Sequence, residues 1–243
     1  GQIKTLALIL AVIQAVLFLY IDDFLHRVWS ALIGISSVCF VLNAFGFYPY
    51  TLGLMTLALS WLWFNEFRFS QRLQQVHAIA YALCLICVGY LLVSINPLVG
   101  IFHWSYHNRA FQIGGLIAPW IGGGLIGLSL IWLVWNLLQR EQIAHTRGIG
   151  LFALITAAAI ALLSLKAPGI GVSMLILLLG FAHSNRVLIG LGIISLLAYI
   201  SKYYYFMQIT LLEKSILLIA SGLLLLTLRI GLNHYQKKEI ADA

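Results

Sequence analysis

Between Arg186 and Arg229 a short apolar run gives way to a basic, tyrosine-rich break at Lys202 to Tyr205, then to an acid and base pair at Glu213 and Lys214. An apolar run long enough to cross a bilayer follows. The same alternation of greasy run and short polar break recurs along the whole chain. Apolar stretches of about 17–25 residues match a hydrocarbon core of roughly 30 Å. Hydrophobic residues make up 62% of the 243 and charged residues 9%, against about 45–50% and about 25% in soluble domains. A soluble core of this size could not hide so much apolar surface. Backbone amides in lipid must bond within their own segment, and the alternation of a lumen-lined barrel is missing, so the spans are helices. The expected fold is all-α: a polytopic transmembrane helical bundle of about nine spans, two of them short, forming one integral-membrane domain over residues 1–243.

The expected spans are 3–21, 28–45, 50–64, 76–95, 113–138, 148–165, 170–183, 187–200 and 215–233. Asp22, Asp23, His26 and Arg27 close the first, as a solvated and partly salt-bridged turn. Gly46 and Pro49 mark a tight turn after the second. Residues 170–183 and 187–200 are near or below spanning length, so they form two thin spans or a re-entrant pair, split by His183, Ser184, Asn185 and Arg186. Two spans keep the basic breaks in register. That register gathers Arg27, Arg68, Arg72, Arg140, Arg147, Arg186, Lys237 and Lys238 on one side, and leaves Lys4, Arg109, Lys166, Lys202 and Lys214 on the other. Cytoplasmic loops carry the excess of Lys and Arg, which predicts an outside N-terminus and a cytoplasmic C-terminus.

A net charge of +7 is spread singly or in pairs between apolar runs. Such charge sets topology and meets anionic headgroups, so membrane lipids rather than nucleic acid are the expected partners. Cys39, Cys84 and Cys87 lie inside apolar spans and are expected to pack as small hydrophobes. No Ser/His/Asp, zinc or nucleotide motif stands out, and no metal or cofactor is expected. Residues 3–20 are apolar enough for a signal sequence but lack a basic flank and a cleavage signal, which predicts a retained span.

Four places are candidates for function. The densest is the fifth span, FQIGGLIAPWIGGGLIG. Gly114, Gly115, Gly122, Gly123, Gly124 and Gly127 permit close helix contact, with Gly123 and Gly127 in small-x-x-x-small spacing. Pro119 could instead break the helix and turn carbonyls toward a cavity. Close packing is the expected role. The loop before it carries His103, His107 and Arg109: an aromatic-rimmed polar patch at the outer interface, or a proton-transfer pair beside an anion clamp. Tyr203, Tyr204 and Tyr205 suit a lipid boundary, in a segment expected to lie along the outer surface. Glu213 is a candidate ionisable group if that segment dips inward, and otherwise sits with Lys214 at the start of the last span.

Residues 190–229 resemble a bacterial family of polytopic inner-membrane proteins defined only as a domain of unknown function. The matching residues are Tyr203, Tyr204, Tyr205, Thr210, Leu211, Leu212, Lys214, Ser215, Gly222 and Arg229. The resemblance implies a second multispanning membrane domain as partner, and additional N-terminal sequence, so that the start at Gly1 is expected to mark a processed or incomplete chain. It implies no activity. The leading expectation is an integral inner-membrane subunit with an interaction or assembly role. The alternatives are a transporter for a small or amphipathic solute, and an enzyme acting on a lipid headgroup.

Overall fold

A computed structural model describes residues 2–65, 72–94, 118–140 and 148–206, together with 215 and 219. Among these residues there are eight helices and no strand. They are α1 (Gln2–Tyr20), α2 (Phe24–Ala44), α3 (Tyr48–Phe64), α4 (Leu73–Ser94), α5 (Ala118–Arg140), α6 (Gly148–Ser164), α7 (Pro168–Ala182) and α8 (Arg186–Phe206). Among the described residues four stretches are long and apolar enough to cross a membrane: Gln2–Tyr20, Phe24–Ala44, Leu73–Val93 and Trp120–Arg140. That is what a membrane-embedded chain requires. The chain divides into two compact units, Gly1–Ile200 and Ser201–Ala243. The expected last span falls in the second and lies outside the described residues, except that Ser215 and Ile219 are helical.

Two expected boundaries are corrected. The second helix starts at Phe24 rather than at 28, because the Asp23 carboxylate accepts the His26 backbone N–H at 3.3 Å and caps a turn that takes in His26 and Arg27. The expected break at Lys202 to Tyr205 is absent, and α8 runs 21 residues through it to Phe206. Lysine and tyrosine are polar but are not helix breakers, and no Gly or Pro stands between Gly192 and Phe206 to stop the helix. So only α7, at 15 residues, is short among the pair expected to be thin.

Within Gly1–Ile200, α2 packs on α1 and α4, and α3 lies against α2, α4, α5 and α7. The core runs through α3, α4, α5 and α7, with Leu59, Cys84, Cys87, Ile126, Leu133 and Leu175 at its centre. All three cysteines are buried there as free thiols. Nine hydroxyl side chains, Ser30, Ser37, Thr51, Thr56, Ser60, Ser129, Ser164, Ser173 and Ser195, are buried among the described residues. Those of Thr51, Thr56, Ser60, Ser129, Ser164 and Ser195 bond back to a carbonyl three or four residues earlier on their own helix. That satisfies the group without a partner helix.

The helix pairs define two ends of this unit. At one end, the α2–α3 turn closes with Gly46 at φ 92°. Its N–H bonds Asn43 O at 2.9 Å while Phe47 N–H bonds Leu42 O at 3.1 Å, the paired closure in which glycine relieves a left-handed residue. Lys4 of α1 reaches the same end: its Nζ donates to Ala44 O at 3.2 Å and lies 4.2 Å over the Phe45 ring. A cation on the last carbonyls of a helix is favourable. Replacing Lys4 with methionine is expected to lower stability by about 0.5 kcal/mol, read by denaturant titration in micelles; an unchanged midpoint would show that the cation adds nothing to the end of α2.

The opposite end holds Arg27 and the turns after α3 and α7. Phe24 of α2 meets Tyr81 of α4, and Trp63 of α3 meets His77 of α4 and His183 beyond α7. The described basic residues of Gly1–Ile200 therefore divide, with Arg27, Arg72, Arg140 and Arg186 at this end and Lys4 and Lys166 at the other. Trp29, Trp61, Trp132 and Trp135 are exposed toward the arginine end, as aromatic belts are at a membrane boundary.

Candidate functional site

The glycine-rich helix α5 faces other helices of the same chain. A side chain on Gly123 would put its Cβ 2.8 Å from Leu165 Cα and 3.0 Å from Ser164 O, at the end of α6. One on Gly127 would stand 3.0 Å from Ala161 Cβ of α6. The Gly122 carbonyl lies 3.0 Å from where a Cβ on Gly53 of α3 would be, while Gly124 has open space around it. Ser164 Oγ donates to Gly123 O at 3.2 Å, a bond between helices that this approach permits. Pro119 is the second of the described residues of α5. Gly114, Gly115, His103, His107, Arg109, Glu213, Lys214 and Arg229 lie outside the described residues. Tyr203 is within α8, and Tyr204 and Tyr205 sit in its last turns with their rings edge to face at 6.0 Å.

A second cluster forms where separate polar breaks converge at the arginine end. Its centre is Trp63 in the last turn of α3, only 3% exposed. The His77 ring stacks on it at 5.5 Å, the His183 ring tilts against it at 4.9 Å, and Tyr81 meets it edge-on at 6.0 Å. His77 and Tyr81 are four residues apart on α4 and so share one helical face. The α7–α8 turn is held in place by its backbone. Ser184 takes a left-handed φ of 50°, with its N–H on Phe181 O at 3.2 Å and that of Asn185 on Gly180 O at 2.9 Å.

Asn185 then makes two connections. Its Oδ1 accepts from Val187 N at 3.1 Å and Leu188 N at 3.4 Å, capping α8, while its Nδ2 donates to the Tyr81 hydroxyl. His183 Nδ1 lies 3.1 Å from Leu179 O, and because a carbonyl only accepts, that nitrogen carries the proton. At the α1–α2 turn, Arg27 pairs with Asp22. The expected solvated turn is only half so: the Asp22 side chain is 92% exposed and that of Arg27 only 6%.

Nothing in the sequence singles out His77, and 183–186 read there only as the polar break between two short runs. The signal that could have joined them was the span register itself, which puts the end of the third span, the start of the fourth and the 183–186 gap on one side. Chemically the cluster offers indole and guanidinium donors, two imidazoles and a phenol. Among the described residues no three of His, Cys, Asp and Glu group closely enough to hold a metal ion.

The chain belongs to the family described as a domain of unknown function, DUF4401, which it matches over residues 2–235. That span takes in every described helix and both clusters above. No curated protein and no solved structure matches the chain.

Proposed function

We propose that this member of the DUF4401 family is an integral inner-membrane subunit, of about nine spans, that works by assembling with a second multispanning membrane protein. The observation that carries this is α1. None of its 19 residues is buried, whereas the most apolar windows of α2, α4 and α5 are 33%, 44% and 44% buried. Its half-buried stripe, Lys4, Ala7, Ala11, Gln14 and Phe18, turns to α2, with Gln14 Cβ near Gly34. The opposite stripe, Leu6, Ile9, Ile13 and Val16, is exposed at the spacing of a coiled-coil seam. Gly122, Gly123 and Gly127 of α5 are taken up by α3 and α6, so the partner's place is on α1.

The orientation follows from the arginine end, which is the cytoplasmic one by the excess of basic residues. This puts the N-terminus outside and the C-terminus inside. Photocrosslinking residues placed singly at Leu6, Ile9, Ile13 and Val16 in intact membranes are expected to give one discrete protein adduct. The same residues at Ala7 and Ala11 should give none. Adducts with lipid alone at all four outward positions would reject assembly through α1.

A further inference from the structure

At the arginine end two N–H donors are buried with no acceptor among the described residues. Arg27 Nε and Trp63 Nε1 each lack a hydrogen-bond partner, on side chains 6% exposed and on a residue 3% exposed. His26 Nε2, from the same turn as Arg27, is likewise buried without one. Leaving such donors unmet is unfavourable, more so for a charged group. Rings link the helices that carry them. Phe24, one turn before Arg27 on α2, sets its ring edge-on to Tyr81 at 6.3 Å, and Tyr81 is edge-on to Trp63 at 6.0 Å.

Arg27 does have one carboxylate, but the way it is held is informative. Asp22 bonds Nη2 alone. Nε and Nη2 lie on one edge of the planar guanidinium, an edge whose two parallel N–H groups match two oxygens of a phosphate. Asp22 meets Nη2 but not Nε and is itself almost wholly in solvent, so little holds it there. The site also lies at the right depth. Arg27 is in the first turn of a helix apolar enough to span, with the exposed Trp29 two residues on, which is where headgroup phosphates lie.

We propose that this end of the unit binds a phosphate group through the Nε and Nη2 edge of Arg27, with the Trp63 N–H as second donor and Asp22 as the displaceable occupant. The phosphate belongs either to an anionic phospholipid or to free inorganic phosphate. Neither the assembly proposal nor the nine-span count is needed for it.

The test uses the full chain, purified in lipid-free micelles, titrated separately with dihexanoyl-phosphatidylglycerol, inorganic phosphate and dihexanoylglycerol. Binding of the first but not the second identifies a lipid phosphate, and binding of both identifies a site open to free phosphate. Dihexanoylglycerol, which has no phosphate, should bind at least about 10-fold more weakly than the phospholipid. Asp22→Asn removes the competing carboxylate and is expected to tighten binding about 3-fold to 10-fold, a gain that misfolding cannot imitate. Arg27→Lys keeps the charge but loses the two-donor edge, and should weaken binding about 10-fold. Trp63→Phe should weaken it about 3-fold. Binding that is unchanged or weaker in Asp22→Asn, or equal for dihexanoylglycerol, or unaffected by both Arg27→Lys and Trp63→Phe, would overturn the proposal.

Discussion

Gly123→Leu is expected to lower the stability of the purified chain by about 3 kcal/mol or more, the upper part of the range for overpacking a filled interior. The atoms in the way are Leu165 Cα at 2.8 Å and Ser164 O at 3.0 Å, both backbone. No rotamer change relieves them, so α5 and the end of α6 must move apart. Separation also breaks the Ser164 bond to Gly123 O, a further loss of about 0.6 kcal/mol by the average for such bonds in a membrane protein. Gly123→Ala meets the same atoms with less volume and should fall between. Gly124→Ala, next along the helix, meets nothing within 4 Å and should be neutral or slightly stabilising, since alanine is the better helix former. Thermal unfolding in micelles separates the three. Equal losses at positions 123 and 124 would refute the close approach of α5 to α6.

Trp63→Ala should cost about 3–5 kcal/mol, as truncation of a buried aromatic does elsewhere. Part of that is transfer from water, which counts for less in lipid; the packing part remains. Trp63 touches two rings on α4 and one beyond α7, each contact worth about 0.5–1.5 kcal/mol beyond its area. Losing them frees three elements at once. Trp63→Phe keeps a ring and drops an N–H that has no acceptor, so it should retain most of the stability. A loss below about 1 kcal/mol for alanine would mean that the cluster is a surface arrangement and not part of what joins α3 to α4 and α7.

Much of the architecture was legible because lipid tolerates so little. Segments bounded by Asp22, Gly46, Lys166 and Arg186 had to be helices; α1 and α3 begin and end, α4 begins and α6 ends within three residues of where the apolar runs do. The misses have a common cause. Hydropathy marks where a chain leaves the apolar layer, not where its hydrogen-bonded ladder ends. Asp23 therefore started α2 four residues early by capping it, and α8 carried Lys202 and the tyrosines as its continuation.

The clusters were less legible. A helix in lipid is apolar all round, so no stripe tells which face turns inward. The glycines of α5 could announce a close approach but not its partner. Asn185 and Tyr81 meet across 104 residues of chain, and nothing local to either marks the other. Arg27 reads in the sequence as part of a solvated turn because Asp22, Asp23 and His26 precede it, yet its side chain is only 6% exposed.

The hydroxyls of α3 have a mechanical consequence. Thr51, Thr56 and Ser60 each draw on a carbonyl of their own helix, Phe47 O, Gly53 O and Thr56 O, and carbonyls shared in this way let a helix bend. This is also the helix that touches α2, α4, α5 and α7. Compliance is thus concentrated in the central strut, and any flexure there is felt by four neighbours together.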